Sequence, residues 1–251
     1  MQPSAKSADN PNSRAPALSK ASPLYIQYGC GQSCPDGWIN FDASPTLRLQ
    51  RLPVIGRLFR SNGATFPKDV RFGDIVKGLP VADGSASGVY ASHVLEHLSH
   101  DEFRRALDHT FTMLRPTGIF RLVVPDLKSR AQTYLQRVEQ GDAKANDWFM
   151  HSSHLGLERR PRGLQALART IFGRSSHLWM WDEDSIAAAL TEAGFSAIRR
   201  CHIGDCKDPA FLAVEDASRF YDPALDIEEC AMEAIKPASR PADRPLAENK
   251  K

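Results

Sequence analysis

Residues able to do chemistry fall into a few short stretches. Residues 25–44 read YIQYGCGQSCPDGWINFDAS, with Gly29-Cys30-Gly31 after one short apolar run and Asp42 at the end of the next. Glycine lets backbone come close to a ligand where a Cβ would collide. A carboxylate at a strand tip can accept both hydroxyls of a ribose. Strand, glycine turn, strand and terminal acid is how an open parallel α/β sheet builds a nucleoside site. Asp74-Ile75 and Ser92-His93 each follow a further strand-like run. His93 and His97 therefore stand where a general base would sit, a role worth about 10²–10⁴-fold in rate. No Ser-His-Asp signature for an enzyme-bound nucleophile is present.

Other combinations carry weaker signals. His93-Val94-Leu95-Glu96-His97 fits H-x-x-E-H, a zinc-protease pattern. That chemistry needs a helix carrying both histidines and a third ligand on a later element. Here the match follows a strand directly, so we expect no metal, and Glu96 or His97 as a satisfied group at a helix end. Cys30 and Cys34 have no second pair at ligand spacing, since Cys201 and Cys206 lie far along the chain, and they read as core or loop thiols. His151, His154, His177, Trp179 and Trp181 either line an acceptor pocket or pack an insertion onto the sheet. The basic pieces 48–60 and 159–174 are expected to be solvated helix faces. Contact with phosphate groups or an anionic lipid surface is the sharper alternative.

The elements that must position these residues follow from hydrophobic pattern. Strands are expected at 24–28, 37–41, 70–72, 87–91 and 119–124, the last being the most apolar run and so a central strand buried on both faces. Helices are expected at 101–114, 127–140 and 182–193. The last is capped by Asp182 or Asp184 and stopped by Gly194. Residues 196–202 and 229–236 are candidates for an antiparallel edge hairpin, although 230–235 is also compatible with helix. The loop 29–37 leaves little room for a crossover helix between the first two strands. Residues 46–60 suggest two short helical pieces broken at Pro53 and Gly56. Residues 141–176 read as an insertion over the mouth of the sheet. Alternating strands and helices through the middle imply an α/β fold with its ligand at the carboxyl ends of the strands.

Composition sets the frame. The 251 residues suit one domain, expected at 23–237 between disordered tails at 1–22 and 238–251. The 32 Lys and Arg nearly balance 30 Asp and Glu, for a formal charge of +2, which gives no argument for nucleic acid. Five scattered cysteines imply free thiols in a reducing compartment. No run approaches the ~18–20 apolar residues of a transmembrane helix, and the N-terminus lacks an apolar signal core. A cytoplasmic protein is expected, with peripheral membrane contact as the less favoured option.

Several blocks, in order, resemble the class I S-adenosylmethionine-dependent methyltransferases, in particular the small type 11-like group. They are YGCGQS at 28–33, WINFDAS at 38–44, GDIVKGLPVADGSASGVYASHVLEHL at 73–98, LRPTGIFRLVVPDL at 114–127 and WMWDEDSIAAALTEAGF at 179–195. The resemblance spans roughly residues 24–237. It implies a Rossmann-like, open, mostly parallel seven-stranded sheet with helices on both faces and an antiparallel C-terminal strand hairpin. It also implies S-adenosyl-L-methionine as cofactor, with Gly29, Cys30, Gly31, Asp42, Asp74, Ile75 and Ser92 as its binding residues. Gln27-Tyr28 replaces the acid that family members often carry after the first strand, and Ser33 stands in place of the third glycine. The implied activity is methyl transfer to a small-molecule or saccharide acceptor. A degenerate, non-catalytic cofactor-binding or interaction module is the alternative, and a nicotinamide-dependent oxidoreductase a weaker one, lacking a full G-x-G-x-x-G.

Overall fold

The 114–124 stretch forms the middle of the molecule. A computed structural model describes residues 22–52, 65–156 and 176–239. The strands are β1 (Leu24–Tyr28), β2 (Trp38–Asp42), β3 (Arg71–Phe72), β4 (Ala86–Ser92), β5 (Leu114–Val124), β6 (Ser196–Arg200), β7 (Tyr221–Asp222), β8 (Ile227–Glu228) and β9 (Cys230–Ile235). Seven of them form one sheet in the order β3-β2-β1-β4-β5-β9-β6. The pairs from β3 through to β5 are parallel, and β9 runs antiparallel to both neighbours. β7 and β8 make a separate two-stranded ribbon.

The helices are α1 (Pro45–Gln50), α2 (His100–Met113), α3 (Leu127–Glu139), α4 (Ala145–Ser152), α5 (Glu183–Glu192) and α6 (Ala217–Phe220). One face of the sheet, with Ile26, Tyr28, Val89, Phe120 and Leu122, packs on Phe103, Ala106 and Leu107 of α2 and Ile186 and Leu190 of α5. The other face, with Trp38, Tyr90, Val123 and Ala231, is covered by Phe211, Val214 and Phe220 from short helical pieces between β6 and β9. α3 is tied to the foot of β9 by a buried bidentate pair, Arg130 Nη1 and Nη2 each 2.8 Å from a Glu229 carboxylate oxygen.

Residues 196–200 and 230–235 pair antiparallel as the expected edge hairpin, 230–235 being strand, with β6 outermost and β9 between it and β5. The 115–118 turn belongs to β5, whose register against β4 shifts between Ala86 and Gly88. β1 and β2 pair in parallel across the short loop 29–37 without a crossover helix. α4 falls inside the expected insertion. Of the basic piece 48–60, Arg48 stacks 3.8 Å over the Phe72 ring, and Arg51 donates to the carbonyls of Pro67, Lys68 and Val70. Residues 53–60 of that piece, the second basic piece and nearly all of both tails lie outside the described residues.

Candidate functional site

The strand order reverses direction between β1 and β4, and the crevice beyond their carboxyl ends is where open α/β sheets hold ligands. Gly29 ends β1 at φ +62, a conformation that disfavours any side chain. A Cβ there would fall 2.1 Å from Val94 Cγ2, so the glycine turn is packed directly on the segment that follows β4. Gly31, at φ +55, has open space where its Cβ would be. The Cys30 amide donates to the Phe41 carbonyl, and its carbonyl accepts from the Ser33 amide. Its thiol packs with Leu47 and Val70, and burial pushes it up to about 12.

Asp42 sits at the end of β2 and is 8% exposed. Its Oδ2 accepts the Gly31 amide at 2.9 Å and its Oδ1 the Ser44 amide at 2.7 Å. A carboxylate has about four acceptor positions, so both oxygens keep a lone pair for a ligand. The Asp42 carbonyl accepts from Gly73, which places Asp74 on the neighbouring strand end. Asp74 caps a 3-10 turn through the Val76 amide, and Lys77 Nζ lies 3.4 Å from its Oδ2. Ile75 is 5% exposed, and its side chain belongs to the main core rather than to a site wall.

Beyond β4 the chain turns sharply. The Ser92 hydroxyl is buried without a partner of good geometry, as is the neighbouring Tyr90 hydroxyl. His93 has φ +52, unusual for a residue with a side chain. Its Nε2 is 3.0 Å from the Arg219 carbonyl and its Nδ1 3.5 Å from Glu96 Oε1. Both neighbours are acceptors, so the ring suits the protonated form. Burial opposes that charge, but the Glu96 carboxylate and the Arg219 carbonyl outweigh it and raise the His93 pKa. His97 Nδ1 is 3.2 Å from the Ser176 carbonyl, and its Nε2 is 3.8 Å from Glu96 Oε1.

Glu96 departs from the expectation of a satisfied group at a helix end. It is fully buried, and neither carboxylate oxygen has a hydrogen bond of good geometry. Its own carbonyl accepts from both Leu178 and Trp179, which brings the later segment onto it. The His177 ring consequently lies 5.1 Å from that of His97 and 4.9 Å from that of His154. Burial, assisted by those two rings, holds His177 down at about 4 against the pull of Glu96. Trp181 is buried on Phe103 at 4.0 Å, whereas Trp179 stays half exposed beside His100. Trp181 thus packs the segment onto the core, while the His177 ring meets those of His97 and His154. His151, on α4, is exposed.

The strand order and the ligand crevice define the class I methyltransferase fold. A methyltransferase-domain family model matches residues 30–199, more than half of the chain, and the chain belongs to that family. S-adenosyl-L-methionine is the methyl donor that membership brings. No curated protein sequence matches it. Solved structures that match include a chain of the complex between the Haloferax volcanii Trm112 methyltransferase activator and a methyltransferase. It is 15% identical over 86% of this chain and 83% of that one, with a TM-score of 0.42. A SAM-dependent methyltransferase from Archaeoglobus fulgidus is 13% identical over 85% and 86%, with a TM-score of 0.47. A Haemonchus contortus N-methyltransferase, solved with phosphomonomethylethanolamine and S-adenosylhomocysteine, is 10% identical over 86% and 49%, with a TM-score of 0.41.

Proposed function

We propose that the chain is an active S-adenosyl-L-methionine-dependent methyltransferase acting on a hydroxyl of a small-molecule or saccharide acceptor. The observation that carries it is the direct packing of the Gly29 turn on the Val94 segment, which sets a nucleoside-type crevice beside a histidine-carboxylate cluster. The residues fit the cofactor: Asp42 keeps acceptor capacity for ribose hydroxyls, Asp74 lies one strand further toward the adenine side, and the space over Gly31 is open. Ser92 brings a hydroxyl, beside that of Tyr90, to the same edge. When bound, the cofactor supplies an activated methyl group on a sulfonium. What the chain itself contributes is alignment, which can lower such a barrier by roughly 7–11 kcal/mol. His93 and His97 hold the acceptor side against Glu96. Five free thiols support a reducing, cytoplasmic setting. Among the described residues no helix is long and apolar enough to cross a membrane.

Calorimetry with S-adenosylhomocysteine tests the reading. The intact chain should bind, and Asp42→Ala and Asp74→Ala should each weaken binding about tenfold or more, the loss of a charged hydrogen bond of ~1.5–3 kcal/mol. Because Asp42 also tethers Gly31 and Ser44, circular dichroism must show each variant folded. No heat with the intact chain, or unchanged affinity in both folded variants, overturns it. Transfer of a radiolabelled methyl group into cell extract then separates an enzyme from a binder.

A further inference from the structure

We infer that Glu96, His97 and His177 form a binding site for a divalent transition-metal ion at the acceptor side of the crevice. One ligand atom from each residue lies within 4.8 Å of the others, the one such group among the described residues. The Glu96 side chain is 1% exposed, and neither oxygen has a hydrogen bond of good geometry, the nearest donor being His93 Nδ1 at 3.5 Å from Oε1. A buried carboxylate left in this state loses several kcal/mol of solvation and calls for a cation. The orientation of His97 suits a ligand, because its Nδ1 faces the Ser176 carbonyl and so carries the proton, leaving the Nε2 lone pair toward Glu96. A backbone carbonyl fixing the tautomer of a ligating imidazole is the usual supporting contact of metal sites. His177 Nδ1 is buried without a hydrogen-bond partner.

Glu96, His97 and His177 thus each turn an acceptor toward the others, with His93 as a donor on the outer side of Glu96. The 3.8 Å between Glu96 Oε1 and His97 Nε2 is close to the ~3.4 Å edge of a tetrahedron with ~2.1 Å bonds. A modest contraction would close the set. Two imidazoles and one carboxylate, with positions left open, are the donors of catalytic zinc and non-haem iron sites. Glu96 and His97 arrive on the segment after β4, and His177 is held there by the bonds of Leu178 and Trp179 to the Glu96 carbonyl. The 20–24% exposure of the His93 and His97 side chains keeps the place open to a ligand from outside. The ion's free positions suit an oxygen-bearing molecule.

The test uses the full chain, stripped with chelator and titrated with Zn²⁺, and separately with Co²⁺. One equivalent should bind, Co²⁺ should show visible ligand-field bands of a low-symmetry site, and the melting temperature should rise with Zn²⁺. Glu96→Gln and His177→Ala should each weaken Zn²⁺ binding at least ~100-fold, the upper end of what outer-shell changes cost. His202→Ala, which removes the exposed His202–Glu228 pair on the other side of the sheet, should leave it unchanged. No stoichiometric ion on the intact chain overturns the proposal, and so does binding that persists in both variants. The first result would mean that protons from His93 and His97 alone satisfy Glu96. S-adenosylhomocysteine binding by the metal-free chain is read separately, so failure here leaves the methyltransferase reading standing.

Discussion

Gly29 shows how much one missing methyl group decides. Two separate penalties await a side chain there, and Gly31 separates them. At φ +55, Gly31 faces open space, so Gly31→Ala meets only the left-handed backbone cost of ~1–2 kcal/mol. Gly29→Ala meets the same backbone cost at φ +62 and also drives its Cβ into Val94, adding ~1–3 kcal/mol of overpacking. Urea denaturation should therefore rank Gly29→Ala as clearly the more destabilising. Adding Val94→Ala, which removes the two γ-carbons at 2.1 and 2.9 Å, should return only the overpacking part. Equal losses at the two glycines would show that the turn is not packed on the Val94 segment. His93, also in the left-handed region without being glycine, adds strain of the kind stored at functional sites.

At the scale of elements, local chemistry explains why the helices begin where they do. Ser99 and Glu102 form a reciprocal capping box at the start of α2, and Asp182 with Ser185 does the same for α5. Burial works against the Asp182 charge, but the Ser185 hydroxyl and amide outweigh it and hold its pKa below the usual value. A carboxylate depressed in the folded state stabilises above its unfolded pKa of ~3.9 and loses that contribution as pH falls through the lower folded value. Asp182→Ala should thus cost ~1 kcal/mol at neutral pH, and the gap from the parent should close as pH falls through the depressed folded value. A gap that stays constant into acid would assign the effect to helix propensity instead. Elements of this kind were legible in the sequence, because capping and periodicity act over three or four residues. The positions of the β1 turn, Asp42 and Asp74 were legible for the same reason, as each lies at or within two residues of a strand's end. β9 was harder to read. Its place between β5 and β6 rests on pairing with Leu114–Val124 and Ser196–Arg200, which no local pattern encodes. The meeting of Glu96 and His97 with His177 was equally hidden, since His177 arrives from the far side of the insertion.

For the whole molecule, the decisive contact is one that the sequence conceals inside its most apolar strand. Arg121, in the run IFRLVV of β5, is 1% exposed. Its Nη1 lies 2.6 Å from Glu233 Oε2 and 2.9 Å from Asp205 Oδ1, and its Nη2 donates to the His202 carbonyl. Glu215 Oε1 is 2.5 Å from Nη2, an ion pair rather than an aligned hydrogen bond. Arg199 shares Glu233 and Asp205, and these guanidinium groups hold the Asp205 carboxyl well below the usual carboxylate range although burial pushes the other way. The partners stand 84 and 112 residues from Arg121, so spacing could not reveal them. What the cluster does is fasten the β6–β9 excursion, with Phe211 and Phe220, over the second face of the sheet. A buried pair broken on one side leaves an uncompensated charge, which costs more than never having the pair. Arg121→Met should therefore lose ~3–5 kcal/mol in urea denaturation, with Glu215 and Glu233 left against an apolar neighbour. Neutralising them as well, in Arg121→Met/Glu215→Gln/Glu233→Gln, should recover part of that loss. The single variant should also raise amide exchange across 201–229 while leaving α2 and α5 protected, because those helices pack on the opposite face. Uniform deprotection of both faces would show that the arginine supports the whole sheet and not the excursion.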